Sequence, residues 1–179
     1  MARIFFQVKL KEILMKKQKG FSLIELLIVV AIILIIAAIA IPNLMRSKMA
    51  ANESSAVGSL RTVNTAEVTY STNFPATGFA ANLASLGNGG AAGACAGNPA
   101  ATVAAACLVD DSLSSGTKSG YKFTAVGAGG VPAVLYTSQA NASVLNQTGG
   151  RSFCSDQSGV IYYLLAANGC TAAGATGPL

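Results

Sequence analysis

One carboxylate lies inside an otherwise uncharged, apolar stretch close to the N-terminus. Glu25 is the only charged residue between Phe21 and Ile41. A carboxylate in hydrocarbon costs at least about 2.5 kcal/mol on insertion scales, so such residues are usually paired and functional. The nearest basic residue, Lys19, precedes the stretch. Cleavage between Gly20 and Phe21 would create an α-amino group one helical turn from Glu25, and this amine is a candidate partner.

Few other residues in the chain could perform chemistry. There is no His, no nucleophile motif and no phosphate-binding glycine loop before a helix, so we expect no enzymatic activity and no cofactor. Asp110 and Asp111 are adjacent carboxylates without further acidic partners, and we interpret them as a solvated turn rather than a metal site. Lys118, Lys122 and Arg151 form at most a small basic patch. Nearby aspartates offset its charge, so nucleic acid is not an expected partner.

The positive charge of the chain is confined to the segment before the apolar stretch. The net charge is +5, and the residues from Phe21 onward are neutral. As a helix, the apolar stretch would span roughly 31 Å, enough to cross a bilayer. The preceding basic residues predict a cytoplasmic N-terminus, with all later residues on the far side. These basic residues are Arg3, Lys9, Lys11, Lys16, Lys17 and Lys19.

Four cysteines follow the apolar stretch and would lie outside the cytoplasm. An even count in such a compartment is typical of disulfides, and without His the chain has no mixed zinc site. Three pairings of Cys95, Cys107, Cys154 and Cys170 are possible.

The chain divides into a leader (1–20), an apolar helix (21–41), an amphipathic continuation of that helix (42–70) and a globular region (71–179). Pro42 should bend the helix rather than end it, because the helical pattern continues beyond it. That pattern consists of apolar residues three, four or seven positions apart: Met49, Ala56, Leu60, Val63 and Tyr70.

The globular region has the alternation typical of β-strands after a Gly- and Ala-rich surface loop. Strands are predicted at 121–126, 131–137, 151–154 and 160–165, separated by turn-forming residues. The sequence therefore predicts an α+β fold: a long N-terminal helix, with a transmembrane half and an amphipathic half, packed on an antiparallel sheet of about four strands.

The stretch KGFSLIELLIVVAIILIIAAIAIPNL resembles the N-terminal signature of type IV pilins and of the related type II secretion pseudopilins. The resemblance covers about 25 residues, and the rest agrees with the pilin fold in architecture alone. It implies that a prepilin peptidase cuts after Gly20 and methylates the amine of Phe21, which keeps its positive charge. That amine and Glu25 would then compensate each other within and between subunits, which fixes the register of assembly.

The resemblance further implies a structural subunit of an extracellular type IV pilus used for adhesion, motility or DNA uptake. Its partners would be other copies in a helical filament, minor pilins, the peptidase, an inner-membrane platform with a cytoplasmic motor ATPase, and an outer-membrane secretin. The chain would cross the inner membrane once before assembly and be extracellular afterwards. The alternative is a pseudopilin of a type II secretion system, which the four cysteines and the lack of a calcium loop near the C-terminus disfavour.

Among the three disulfide pairings we favour Cys95–Cys107 and Cys154–Cys170. Each pair is local in sequence, and the second would fasten the C-terminal segment to a strand, as a pilin disulfide does. A loop of about 15 residues closed in this way contributes roughly 3 kcal/mol in the chain-entropy model.

Two other interpretations of the N-terminus are an ordinary signal peptide cut after Ala40 and a plain membrane anchor. The length of the apolar stretch, the position of Pro42 next to that cut, and the presence of Glu25 argue against both. Met15 offers an alternative start that would give a short leader.

Overall fold

The computed structural model describes residues 20–91, 93, 95–97, 100–166, 169–171 and 174–179. Apart from Gly20, the predicted leader lies outside the described residues. Two compact units make up the chain, 1–42 and 43–179, and one helix contributes residues to both.

That helix, α1 (Leu23–Asn73), is 51 residues long. Its first half contains no Gly, and its Leu and Ala residues are strong helix formers. Pro42 lies inside the helix, which continues on both sides, so the proline does not end it. The helix ends three residues later than predicted, before the sequence Phe74-Pro75, and the amide of Phe74 still donates to the carbonyl of Tyr70 at 2.9 Å.

Within the first unit, the large apolar side chains of α1 are exposed. Their exposure runs from 45% at Val30 to 80% at Leu23. Every side of this segment is apolar, as expected of a helix made for a non-aqueous environment.

The second unit places the later half of α1 against an antiparallel sheet. The buried face of the helix includes Ala56, Leu60, Val63 and Tyr70, which confirms the predicted amphipathic pattern at these positions; Met49 is only partly buried. Two short helices, α2 (Leu83–Leu86) and α3 (Asp111–Ser114), complete the helical elements of the described residues.

The described residues form six strands in one sheet, in sequential order and antiparallel throughout. The α+β prediction is therefore confirmed, with six strands in place of about four. The two additional strands are two-residue edge strands without a hydrophobic pattern of their own. The strands are β1 (Thr117–Lys118), β2 (Tyr121–Ala128), β3 (Leu135–Ala142), β4 (Ser152–Asp156), β5 (Ile161–Leu164) and β6 (Gly177–Pro178).

The predicted strand at 131–137 was misplaced. The strand in this region is β3, Leu135–Ala142, while Val131 is 90% exposed in the β2–β3 connection. Apart from Tyr136, the buried residues of β3 are Ser138, Ala140 and Ala142, which are small or polar, so hydrophobicity did not mark the later part of the strand. Ser138 is fully buried there. Its hydroxyl is nevertheless satisfied, because it donates to the side-chain oxygen of Asn64 at 3.3 Å.

Candidate functional site

Glu25 lies in the first turn of α1, where it has a hydrogen-bond partner in the uncut chain. The backbone amide of Ser22 donates to Glu25 Oε2 at 3.0 Å. Ser22 directly precedes the first helical residue, so this contact is one half of a capping box. An acidic side chain in this turn is also favoured by the helix dipole.

This capping contact was missed by the sequence analysis, although the signal was present. Ser22-Leu23-Ile24-Glu25 matches the S-x-x-E pattern of a capping box. The contact gives Glu25 a local role before any cleavage creates an amine at Phe21. A test of Glu25 must therefore separate the effect of losing the capping hydrogen bond from the effect of losing the negative charge.

Gly20 and Phe21 immediately precede α1. Both are exposed, Phe21 to 77%, and a Cβ added to Gly20 would have no neighbour within 4 Å. The peptide bond between them is thus accessible from solvent. Processing at this bond and methylation of the resulting amine remain predictions.

The adjacent acidic residues Asp110 and Asp111 organise the local backbone. Asp110 precedes α3 and accepts from Lys118 Nζ at 3.2 Å. The hydroxyl of Ser112 and the charge of Lys118 lower the pKa of Asp110. The Asp111 carboxylate accepts from the side-chain amide of Asn88 at 3.1 Å. Within the part of the chain that is described, three or more potential ligands for a metal ion do not come together.

The three basic residues considered from the sequence do not form a patch of free charge. Lys118 pairs with Asp110, and Arg151 pairs with Glu53 through Nη2 and Oε2 at 2.7 Å. Lys122 lies on the exposed face of β2. Two of these three cations are therefore compensated by carboxylates of the same chain.

The pairing of Arg151 with Glu53 fastens α1 to the sheet. Glu53 Oε2 also accepts from Arg151 Nε at 2.9 Å, and Glu53 Oε1 accepts from the amide of Gly150 at 2.8 Å. The guanidinium lies 5.5 Å from the ring centre of Phe153 and 5.6 Å from that of Tyr163. One arginine therefore joins a helix carboxylate to two aromatic rings of the sheet.

A second carboxyl group, Glu67, is fully buried beneath the sheet. Its Oε2 accepts from the amide of Ala80 at 2.9 Å, whereas its Oε1 has no hydrogen-bond partner. Burial raises the pKa of Glu67 to about 7, against the opposing effect of the Ala80 hydrogen bond. The negative charge of Glu67 contributes to the raised pKa of Tyr70 and Tyr136, after burial of those hydroxyls.

Both disulfides favoured from the sequence are present. Cys95 is bonded to Cys107, with a Cα–Cα distance of 5.5 Å. Cys154 of β4 is bonded to Cys170, with a Cα–Cα distance of 5.6 Å, so the C-terminal segment is fastened to the sheet. Among the described residues there is no free cysteine.

These features define a class of protein: an α+β domain that shares its main helix with an exposed apolar segment. Among the described residues, α1 is the one helix long and apolar enough to cross a membrane. Its apolar end begins at an exposed Gly20–Phe21 bond and carries Glu25 in its first turn.

Comparison with known proteins narrows this class. The prokaryotic N-terminal methylation motif matches residues 15–41. The chain is 58% identical over 40 residues to the type IV wide pilus major component PilA4 of Thermus thermophilus, and this segment covers 22% of the chain and 30% of the relative. It is 46% identical over 54 residues to the type IV major pilin protein PilA of Myxococcus xanthus, covering 30% of the chain and 24% of the relative.

The motif and both similarities concern the N-terminal segment, which is similar to the N-terminal segments of type IV pilins. The matched segments span less than a third of the length of either relative. No solved structure matches the chain.

Proposed function

We propose that this chain is the structural subunit of a type IV pilus and polymerises through its N-terminal helix into an extracellular filament. The observation that carries the proposal is the N-terminal methylation motif at 15–41, whose part from Leu23 onward forms an exposed, apolar segment of α1. Both relatives are named as major subunits of type IV pili, which supports the pilus over the secretion pseudopilus. Adhesion, motility and DNA uptake are uses that such a filament would serve.

In this proposal a prepilin peptidase removes residues 1–20 and methylates the amine of Phe21. The exposure of Gly20 and Phe21 ahead of the helix supports access by the enzyme. Methylation leaves the amine positively charged, so it can compensate a carboxylate. The apolar helix holds the subunit in the inner membrane until assembly, and the domain from residue 43 onward lies on the far side of that membrane.

Assembly transfers the apolar helix from lipid to the interior of a filament of identical subunits. A surface made only of Leu, Ile and Val has no preferred axial position, because apolar packing is not directional. The Phe21 amine and Glu25 of adjacent subunits would supply that position, since an unpaired buried charge costs about 3–5 kcal/mol. Minor pilins, an assembly platform with a motor ATPase and an outer-membrane secretin would complete the machinery.

The test separates the charge of Glu25 from its capping role. Glu25→Gln keeps an oxygen that can accept from the Ser22 amide but removes the charge. We expect normal leader removal and at least a tenfold loss of sheared filaments, measured by immunoblot and electron microscopy. The matched control is Ser22→Ala, which preserves the backbone donor of the capping contact and should assemble normally. Wild-type filament yield from Glu25→Gln would refute the role of the charge.

A further inference from the structure

Two exposed cations, Arg46 and Lys48, follow the apolar segment of α1 and have no carboxylate partner among the described residues. The ion pairs of the described residues are Lys118 with Asp110 and Arg151 with Glu53, and neither includes these two cations. The hydroxyl of Ser47, which lies between them, donates back to the carbonyl of Asn43 at 3.0 Å, and it carries no charge that could compensate either cation.

The nearest carboxylate on the helix cannot neutralise them. Both oxygens of Glu53 are engaged, Oε1 by the amide of Gly150 and Oε2 by Arg151. The side chain of Glu53 is only 13% exposed. The fold therefore leaves Arg46 and Lys48 available for an anionic group from outside the chain.

The spacing along the sequence determines the depth in the membrane at which this anionic group would lie. From Phe21 to Met45 the only charged residue is Glu25, and Arg46 follows directly. As a helix these 25 residues extend roughly 37 Å, compared with a hydrocarbon thickness of about 30 Å. With Phe21 at the cytoplasmic surface, Arg46 reaches the headgroup layer of the opposite leaflet, and the long side chains of both cations can extend toward it.

We propose that Arg46 and Lys48 bind the phosphate groups of phospholipids in the far leaflet and set the depth of the subunit before it is assembled. The inference rests on the proposed membrane residence of the subunit. Arginine suits this ligand because its planar guanidinium donates two parallel hydrogen bonds to phosphate oxygens. Residues two positions apart project from different sides of a helix, so the two cations contact different lipid molecules. Contacts on two sides fix the depth of the helix, and extraction into a filament must break both.

The test is a distance measurement between arginine and lipid phosphorus. The full chain carrying ¹³Cζ-labelled arginine is reconstituted into phosphatidylethanolamine–phosphatidylglycerol vesicles, and ¹³C–³¹P dephasing is recorded by solid-state NMR. If Arg46 contacts lipid phosphate, its ¹³Cζ contributes to the signal that phosphorus dephases. We expect Arg46→Gln to lower the dephased ¹³Cζ signal by the contribution of this one arginine. The matched control, Arg61→Gln, removes an exposed arginine of α1 that lies 15 residues further along the helix, and it should leave the dephased signal unchanged.

Vesicle flotation of the same samples distinguishes the possible failures. If the chain floats with the vesicles but the dephased signal is the same in wild type and Arg46→Gln, the phosphate contact is refuted while membrane residence stands. Arg46 would then be available for a carboxylate of a second copy. If the chain does not float, the membrane step of the proposed function fails, and this inference fails with it.

Discussion

Replacing Glu67 with Gln should remove a pH dependence from the stability of the sheet-containing unit. Glu67 projects from α1 into a space where the amide of Ala80 is its one hydrogen-bond donor. The titratable groups that its charge influences are Tyr70 and Tyr136, and no cation of the described residues forms an ion pair with it. Burial without a counter-charge favours the protonated carboxyl.

The expected effect follows from proton linkage. The pKa of Glu67 rises from 4.5 to about 7 on folding. Between these values the folded protein binds more protons than the unfolded protein, so the free energy of unfolding falls as the pH rises. The loss begins near the lower value, is complete above the higher one, and amounts to about 3 kcal/mol, at 1.36 kcal/mol per pKa unit.

The assay is urea unfolding of the mature chain in detergent micelles at several pH values from 4 to 8.5. Near-ultraviolet circular dichroism of the buried tyrosines reports unfolding of the sheet-containing unit, since the chain has no Trp. Glu67→Gln should flatten the decline in stability over this range. The control, Asp156→Asn, removes a carboxylate that is not buried and should retain the decline. Parallel pH profiles for wild type and Glu67→Gln would refute the reasoning.

Two further predictions concern packing between α1 and the sheet. Arg151→Lys keeps the charge but loses the forked contact with Glu53 and the aromatic stacking. The free energy of unfolding should therefore fall by about 1–2 kcal/mol in the same assay. Unchanged stability would contradict the stabilising role of this contact. Gly149→Ala would bring a Cβ into the hydroxyl of Tyr121 and should cost about 1–3 kcal/mol. Gly150→Ala, where the nearest atom is Glu53 Oε1 at 3.6 Å, should be close to neutral, and equal effects of the two alanines would count against the steric explanation.

Features with a local sequence signal were predicted well. The buried face of α1 was marked by apolar residues at helical spacing, and β2 by alternation of core-facing Tyr121 and Phe123 with exposed Lys122. β3 was misplaced because its core-facing positions include Ser138 and Ala140, whose burial depends on neighbouring strands rather than on their own hydrophobicity.

Features that depend on distant residues were missed. The partner of Glu53 lies 98 residues away at Arg151, and the donor to Glu67 lies 13 residues away in a loop. No local pattern distinguishes such buried carboxyl groups from solvated ones on the polar side of a helix. The capping contact of Glu25 is a different case, because its S-x-x-E signal was present and only the amine was considered as a partner.

The most direct test of the central claim is the mass of the protein in filaments sheared from cells. The proposed function predicts that the dominant species begins at Phe21, carries one added methyl group on its amine, and retains both disulfides until reduction. A chain beginning at Ile41, or one retaining residues 1–20, would contradict the account of Gly20, Phe21 and Glu25. Correct processing with the protein confined to the cell envelope would contradict the pilus and favour a secretion pseudopilus.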